Sequence, residues 1–261
     1  MQVKSLIEFI DAAVDTKYVH SPLDDAGGIM LVGYPGSFKT TIVKNAVDHH
    51  SDALMVSDMN VQQWIKLRDD FITGRYSTLA FTDFEKIYQR HQSTASHIEG
   101  IVKGLVAEGY GTPPSGDQRM PVSEARALVI GAMTSSCMEK RYQAWQEDGF
   151  LRRFLWLVVS VKNINEVNAA IRRWEKIDFG KLAVTLRPAN KTIPMNLSNE
   201  REEQLQSMMR EQAGFNGTGY LLLKKVTAVL EWKYSGENGK VSELLNDIAP
   251  ALTKKGGKIT L

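Results

Sequence analysis

The sequence predicts an α/β protein in which a five-stranded parallel sheet lies between helices and a small helical subdomain follows. Five short apolar runs alternate with helical patterns over residues 28–161. Apolar runs without polar alternation are typical of parallel strands that are covered on both faces. After Asp178 the helical patterns continue without further strands of this kind. We therefore predict an α/β core with an N-terminal helix over residues 1–178 and a helical C-terminal subdomain over residues 179–261.

The individual elements follow from apolar periodicity and from the turn residues between them. The predicted strands are residues 28–32, 53–56, 77–84, 127–132 and 154–161. The predicted core helices are residues 5–14, the helix that follows the loop within 33–50, 60–74, 85–108, which the segment 93–96 could interrupt, and 136–147. The C-terminal region has possible extended segments at 184–186 and 192–195, then helices near 199–213, 218–235 and 241–252.

Composition limits the classes of protein that fit. The net charge is +2, from 32 basic and 30 acidic residues, so it neither indicates nor excludes a nucleic-acid partner. The single cysteine, Cys137, indicates a reducing compartment and is predicted to be a packed thiol rather than a nucleophile. His49 and His50 are adjacent at a helix end and are expected to point in different directions, without forming a metal site. Because no apolar run approaches about 18 residues, we expect no membrane span and a cytoplasmic location.

A phosphate-binding loop is predicted at Gly33-Tyr34-Pro35-Gly36-Ser37-Phe38-Lys39-Thr40, between the first strand and its helix. In such a loop, backbone N–H groups and the positive end of the helix dipole converge on phosphate oxygens. Lys39 would reach the β- and γ-phosphates of a nucleotide, and the Thr40 hydroxyl would hold Mg²⁺. The residues predicted to contact the nucleotide are Gly33, Pro35, Gly36, Ser37, Phe38, Lys39, Thr40 and Thr41.

One position of the loop departs from the usual pattern. Phe38 stands where a glycine normally precedes the lysine. Gly36 partly compensates, because it supplies a residue without a Cβ inside the turn. The alternative interpretation is an ordinary strand-to-helix turn in which Lys39 is a surface residue.

Two carboxylates, Asp83 and Glu85, follow the third predicted strand. The carboxyl ends of parallel strands open on one edge of a sheet, where ligands bind. We therefore expect Asp83 to hold Mg²⁺ together with Thr40, and Glu85 to orient and deprotonate an attacking water. If the strand continued through both acids, their side chains would share one face. Alternatively, the two acids stabilise the N-terminus of a following helix.

Thr134 and a pair of arginines complete the set of candidates. Thr134 follows the fourth strand and is expected either to contact the γ-phosphate or the attacking water, or to cap the next helix. Arg152 and Arg153 precede the fifth strand, where a guanidinium group can neutralise charge on a transferred phosphoryl group. Arg153 is the preferred candidate, because its apolar neighbours would fix its direction. The alternative is a pair of solvated arginines at the start of an edge strand.

In chain order, these elements resemble the additional-strand P-loop ATPases, and within them the AAA+ branch. The resemblance covers about residues 25–235 and identifies the four elements with Walker A, Walker B, sensor 1 and an arginine finger. Gly149-Phe150-Leu151-Arg152-Arg153-Phe154 and Gly36-Ser37-Phe38-Lys39-Thr40 are similar to segments of RecA-like and AAA ATPases that phages and plasmids encode. The resemblance implies bound ATP and Mg²⁺, a lid-like C-terminal subdomain and a homo-oligomer in which Arg153 acts on the neighbouring subunit.

The sequence departs from this family at Walker B, because Phe84 separates Asp83 from Glu85, whereas the two acids are normally adjacent. This separation leaves the catalytic role of Glu85 open. A sensor-2 residue is not marked by any pattern, and the candidates are Arg201, Lys224 and Lys225.

The segment at residues 109–121 is rich in glycine and proline and is predicted to be a loop. In the family, an insertion at this place can touch a threaded polymer, and here Tyr110 and Arg119 would contact DNA by stacking and by charge. A long surface loop without such a role is the alternative.

The sequence therefore predicts an ATP-binding and ATP-hydrolysing AAA+-like enzyme of phage or mobile-element type. It would act as a ring or filament, on DNA in replication or recombination, in the cytoplasm of the host cell. One alternative is a nucleotide-switched loader or recruitment module with little turnover, which the phenylalanines at 38 and 84 favour. Another is a small-molecule phosphotransferase, which would consume ATP only with a specific acceptor and would function as a monomer.

Overall fold

The elements are taken from a computed structural model, which describes residues 3–20, 25–109, 125–161, 163–174, 193–210, 217–235 and 237–252. The α-helices are α1 (Val3–Val14), α2 (Lys39–Val47), α3 (Val61–Ile72), α4 (Gln92–Lys103), α5 (Ser135–Glu147), α6 (Ile164–Trp174), α7 (Asn199–Met209), α8 (Thr218–Lys233) and α9 (Asn238–Ile248). The strands are β1 (Val19–His20), β2 (Gly28–Gly33), β3 (Ala53–Val56), β4 (Thr78–Phe81), β5 (Leu128–Thr134), β6 (Phe154–Val158) and β7 (Ile193–Pro194). Short 3₁₀ turns lie at Asp15–Tyr18, Phe84–Gln89, Leu151–Arg153 and Ala249–Ala251, and a π-helical turn lies at Gly104–Glu108.

Five strands form one sheet in the order β3-β4-β5-β2-β6, and every neighbouring pair in it is parallel. The strand β2 lies between β5 and the edge strand β6, with Gly28 paired to both Val129 and Phe154. Because all five strands run the same way, their ends form two edges, which we call the carboxyl edge and the amino edge. The predicted α/β class and five-stranded parallel sheet are confirmed.

Helices cover both faces of this sheet, which explains its apolar strands. Ile29 and Leu31 of β2 belong to a hydrophobic cluster shared with α1, α2 and α6 to α9. Met30 and Val32, the alternate residues, belong to a second cluster shared with α3, α4 and α5. All four side chains are fully buried. A strand buried on both faces has no solvent-facing positions that would favour polar residues.

The three predicted C-terminal helices are present as α7, α8 and α9. They contribute to the same hydrophobic cluster as α1 and β2. The predicted extended segment near residues 192–195 appears as β7, which pairs in parallel with β1. The segment at 184–186 and the proposed boundary at 178 lie outside the described residues. None of the helices in the described ranges is both long enough and apolar enough to cross a bilayer.

Several predicted boundaries differ from the structure. The fifth strand ends at Val158 rather than residue 161, and the last helix spans Asn238–Ile248 rather than 241–252. The third strand ends at Phe81 rather than residue 84, because the chain turns into the 3₁₀ segment that begins at Phe84. The break in the following helix precedes residues 93–96 rather than falling within them. It lies at His91, whose side chain accepts a hydrogen bond from the Ser93 backbone N–H and so caps the start of α4.

Candidate functional site

The loop after β2 begins with a tight turn. The Tyr34 carbonyl accepts a hydrogen bond from the Ser37 N–H at 3.2 Å. Pro35 and Gly36 occupy the two central positions, and Gly36 has a φ of +78°. Proline followed by a residue with positive φ is the pattern of a type II turn, and glycine adopts that φ without steric cost. The Pro-Gly pair thus reverses the chain immediately before α2.

Phe38 takes over the left-handed conformation that a glycine normally supplies before the lysine. Its φ and ψ are 58° and 19°, and it is the only non-glycine residue with positive φ in the part of the chain that the structure describes. Its side chain is half-buried and packs against the hydrophobic cluster that contains α1 and α2. The Phe38 carbonyl accepts the Ile42 N–H at 3.0 Å, which begins the hydrogen bonding of α2.

Gly33 is required where β2 meets the loop. A Cβ at this position would clash with the Val159 carbonyl oxygen and would lie 2.8 Å from the Ser37 hydroxyl. At Gly36, by contrast, the space that a Cβ would occupy is open to 4 Å. The first glycine therefore serves close packing, and the second serves the turn conformation.

Lys39 is the first residue of α2, and its side chain folds back into the loop. The ammonium group donates to the Gly33 carbonyl at 3.0 Å, the Tyr34 carbonyl at 2.8 Å and the Ser37 hydroxyl at 3.1 Å. The residue is 9% exposed, so the alternative of an ordinary surface lysine is wrong. Burial lowers the Lys39 pKa, while the negative charges of Glu85 and Asp83 act in the opposite direction. Both acids are thus close enough to interact with this ammonium group.

Thr40 links α2 to the end of strand β4. Its hydroxyl donates to the Thr82 carbonyl at 2.8 Å, and the Thr82 N–H in turn donates to the Val56 carbonyl at 2.9 Å. A hydroxyl that donates keeps its oxygen lone pairs for another ligand. Thr41 contributes a carbonyl that accepts from the Asn45 side chain at 2.8 Å, within the helix.

Asp83 and Glu85 follow β4 at the same edge of the sheet, on either side of Phe84. The Phe84 side chain is fully buried and packs edge-on against Phe81, with ring centroids 5.2 Å apart. The acids are half-buried and open the 3₁₀ turn Phe84–Gln89, so the strand does not continue through them. Burial raises the Asp83 pKa, and the nearby Glu85 charge adds to the effect.

Thr134, at the carboxyl end of β5, holds Glu85. Its backbone N–H and its hydroxyl both donate to Glu85 Oε2, at 3.1 and 2.6 Å. The Thr134 hydroxyl also accepts the Cys137 N–H at 3.3 Å, so the predicted helix cap is confirmed. The Thr134–Glu85 contact was not predicted, because it joins residues from two strands whose pairing the sequence does not state. Gly33 pairs with Thr134 in the sheet, which places this contact beside the start of the loop.

The two arginines lie at the opposite edge of the sheet. Phe154, which follows them, pairs with Gly28, whereas the phosphate loop begins after Gly33. The five residue steps from Gly28 to Gly33 span roughly 17 Å at about 3.3 Å per residue. Arg153 is 8% exposed and donates to the Gly149 carbonyl at 3.1 Å, while Arg152 is exposed.

The remaining candidates fall into two groups. Arg201 donates to Glu231 at 2.9 Å and Lys224 pairs with Glu202 at 2.6 Å, both within the C-terminal helices. Lys225 is buried and donates to the Asp25 carbonyl at 2.6 Å, at the amino edge. Of the predicted loop at 109–121 only Gly109 is described, so Tyr110 and Arg119 lie outside the described residues.

The sequence also leads to predictions for three further reactive side chains, Cys137 and the adjacent His49 and His50. Burial raises the Cys137 pKa to about 11, which favours the neutral thiol and supports a packed rather than nucleophilic role. The prediction that His49 and His50 point in different directions is wrong. Both residues follow α2 rather than lying within it, and their Nε2 atoms converge on Asp11 Oδ1 at 2.8 Å each.

No protein-family model matches the chain, and no curated protein sequence matches it significantly.

Proposed function

We propose that the chain binds ATP at the carboxyl edge of the sheet and hydrolyses it, as a P-loop ATPase. The position of Lys39 carries the proposal. Its ammonium group is held inside the turn at the start of α2, and it interacts with Asp83 and Glu85 across the same edge. A helix N-terminus with a buried ammonium group is suited to phosphate, and nearby carboxylates are suited to a cation and a water.

The order of the strands supports the same assignment. β5 lies between β2, which leads into the loop, and β4, which leads into the two acids. A strand inserted between these two is the feature that defines the additional-strand class to which the sequence shows a resemblance. It also explains how Thr134 of β5 comes to stand between the loop and Glu85.

The residues at this edge fit Mg²⁺ and the phosphates of ATP. Thr40 and Asp83 would hold Mg²⁺, whose charge would offset that of the β- and γ-phosphates. The donor set is suitable, because a hydroxyl oxygen and carboxylates are the ligands that Mg²⁺ prefers. Burial and the like charge of Glu85 disfavour an ionised Asp83 in the absence of a cation. A bound cation would remove that conflict.

In hydrolysis, a water oxygen would bond to the γ-phosphorus while the bond from that phosphorus to the β–γ bridging oxygen breaks. Glu85 would orient this water and accept its proton. Its Oε2 is fixed by Thr134, so Oε1 is the oxygen that we propose for this role. Lys39 would stabilise the charge that develops on the phosphate oxygens.

The position of the arginines favours a site that is completed by a second subunit. A guanidinium group at the amino edge is too far from the loop of its own chain to neutralise phosphate charge. Arg152, which is exposed, is better suited to reach a neighbour than Arg153, which is buried and bonded to Gly149. We therefore propose a homo-oligomer in which Arg152 is the finger and Arg153 fixes the turn that presents it.

A nucleotide-switched module with little turnover is the second candidate. The Thr134 contact is the observation that favours it, because both donors of Thr134 hold the acid that would activate water. If this contact persists when ATP is bound, the orientation of Glu85 is fixed by Thr134 and not by a hydrogen bond to the attacking water.

Steady-state ATP hydrolysis separates the two candidates. The native chain is expected to release phosphate, and Glu85→Gln is expected to lower turnover by about 10²-fold or more while ATP still binds. Glu147→Gln, on the exposed surface of α5, is the matched control and should leave turnover unchanged. ATP binding without turnover above background, with and without single-stranded DNA, would instead establish the switch.

The same assay tests for a DNA partner. Stimulation of ATP hydrolysis by single-stranded DNA would support a DNA partner, and the absence of stimulation would argue against one.

A further inference from the structure

A second group of potential ligand atoms lies at the far end of α2 from the phosphate loop. There, Asp11 of α1 meets the two histidines that follow α2 and the last residue of α8, Lys233. The Nε2 atoms of His49 and His50 each lie 2.8 Å from Asp11 Oδ1. The two nitrogens and the oxygen all lie within 4.8 Å of one another.

The backbone explains how neighbouring histidines reach one oxygen. On a helix, consecutive side chains diverge by about 100°. Here α2 ends at Val47, and Asp48 and His49 form the turn that leaves it. The two imidazole rings consequently lie side by side, with centroids 4.2 Å apart.

Asp11 is held in place from its other side. Its Oδ2 accepts from Lys233 Nζ at 2.8 Å, and the same ammonium group lies 2.8 Å from Asp15 Oδ2. Asp15 Oδ1 lies 3.9 Å from His50 Nδ1, the ring nitrogen that points away from Asp11. At this distance the carboxylate attracts the ring electrostatically but does not hydrogen-bond to it. The hydrogen bond from Lys233 to Asp11 is the kind of contact that usually holds a ligating carboxylate.

Charge and access also suit a cation. Two carboxylates and one ammonium group leave one net negative charge beside two imidazoles that are able to be neutral. Asp11 and His50 are almost enclosed, with side chains 4% and 9% exposed, whereas the His49 side chain is 33% exposed. The cluster therefore has a rigid inner part and one side through which an ion and a water can enter.

We propose that Asp11, His49 and His50 form a binding site for Zn²⁺ or a similar divalent transition metal. His49 Nε2, His50 Nε2 and Asp11 Oδ1 would be the protein ligands, and a water would complete a tetrahedral set. On binding, the two nitrogens would act as acceptors toward the metal, so any proton they carry is released to solvent. The ion would tie the end of α2 to α1 and, through Lys233, to the end of α8. The site is independent of the ATPase proposal, because it uses none of its residues.

The test is Zn²⁺ binding to the full chain after treatment with a chelator, measured by calorimetry without nucleotide. One equivalent is expected to bind per chain. Loss of either imidazole, in His49→Ala or His50→Ala, should weaken binding by at least about tenfold. His97→Ala, on the exposed face of α4, is the matched control and should bind as the native chain does. Lys39→Ala should also leave Zn²⁺ binding intact, whatever it does to ATP.

Co²⁺ serves as a second probe that does not depend on heat of binding. Tetrahedral nitrogen and oxygen coordination should give a visible absorption band that Zn²⁺ displaces and that His49→Ala weakens by at least about tenfold at a Co²⁺ concentration well below saturation. His49 is the more exposed histidine, so this variant is the one expected to keep the fold, which circular dichroism verifies. Absence of stoichiometric Zn²⁺ binding, or equal binding by a folded His49→Ala variant, would overturn the proposal and leave the histidines as hydrogen-bond partners of Asp11.

Discussion

At Phe38 the backbone conformation lowers the stability of the fold, whereas the packing of the side chain raises it. A left-handed conformation costs a residue with a Cβ about 1 kcal/mol, because the Cβ crowds the following carbonyl oxygen. The ring nevertheless packs against the cluster that contains α1 and α2, where its burial is favourable. The phenylalanine is thus tolerated because packing offsets the strain that glycine would avoid.

Two substitutions at this position separate the effect of the backbone strain from the effect of the ring packing. Phe38→Gly and Phe38→Ala both lose the ring, but only Phe38→Gly relieves the left-handed strain. Phe38→Gly should therefore be the more stable variant by about 1 kcal/mol in chemical denaturation. This order is the reverse of helix propensity, so a more stable Phe38→Ala would contradict the left-handed assignment.

Asp83 gives a pH-dependent prediction. Burial and Glu85 raise its pKa, so the folded chain binds this proton more tightly than the unfolded chain. The protonated carboxyl therefore stabilises the fold relative to the ionised one at acid pH. This stabilisation is lost as the pH rises from about 3.9, the pKa in the unfolded chain, through the higher pKa in the folded chain. Asp83→Asn should therefore be more stable than the native chain at neutral pH, and the difference should vanish below about pH 3.

The measurement is thermal unfolding of both chains across that pH range without Mg²⁺. Asp69→Asn, at an exposed position of α3, is the control for removing a carboxylate. If Asp83→Asn is no more stable than the native chain at neutral pH, then ionisation of Asp83 does not destabilise the fold.

The junctions between elements determine the geometry of the site. β2, β4 and β5 end at the carboxyl edge, and each delivers one component: the loop, the acids and Thr134. Thr134 is the point at which these components join, since it caps α5 and also holds Glu85.

Removing the Thr134 hydroxyl tests this junction. Thr134→Val keeps the shape but loses both hydrogen bonds of the hydroxyl, so stability should fall by about 1 kcal/mol. ATP turnover should fall as well, because Glu85 loses its shorter hydrogen bond. Thr134→Ser keeps the hydroxyl and should restore most of both properties. Equal behaviour of the two variants would show that the backbone N–H alone positions Glu85.

Elements and loop were predictable from the sequence because their signals are local. Apolar runs, the Pro-Gly turn and the Lys-Thr pair depend on neighbours in the chain, and the strands, turn and helix lie where these signals place them. The strand order and the Thr134–Glu85 contact depend on pairing between distant segments. The convergence of His49 and His50 depends on the residue at which α2 ends, and helix ends are poorly determined by periodicity.

At the scale of the whole molecule, the two edges of the sheet separate the loop from the arginines. If Arg152 completes the site of a neighbour, Lys39→Ala and Arg152→Ala should each be inactive alone and active when mixed. In a random mixture, about one quarter of the interfaces would join an intact loop to an intact arginine. ATP hydrolysis by the mixture is the measurement, with Arg172→Ala on exposed α6 as an active control. A mixture as inactive as its components would remove the support for a shared site.

The central claim is that the buried ammonium group of Lys39 lies in a nucleotide-phosphate site. Calorimetric titration with ATP and Mg²⁺ tests it most directly, on the native chain, on Lys39→Ala and on Lys44→Ala, an exposed lysine in the last turn of the same helix. We predict that the native chain and Lys44→Ala bind one ATP per chain and that Lys39→Ala, still folded, loses this binding by at least about tenfold. Equal ATP binding by all three chains, or none by the native chain, would contradict the account.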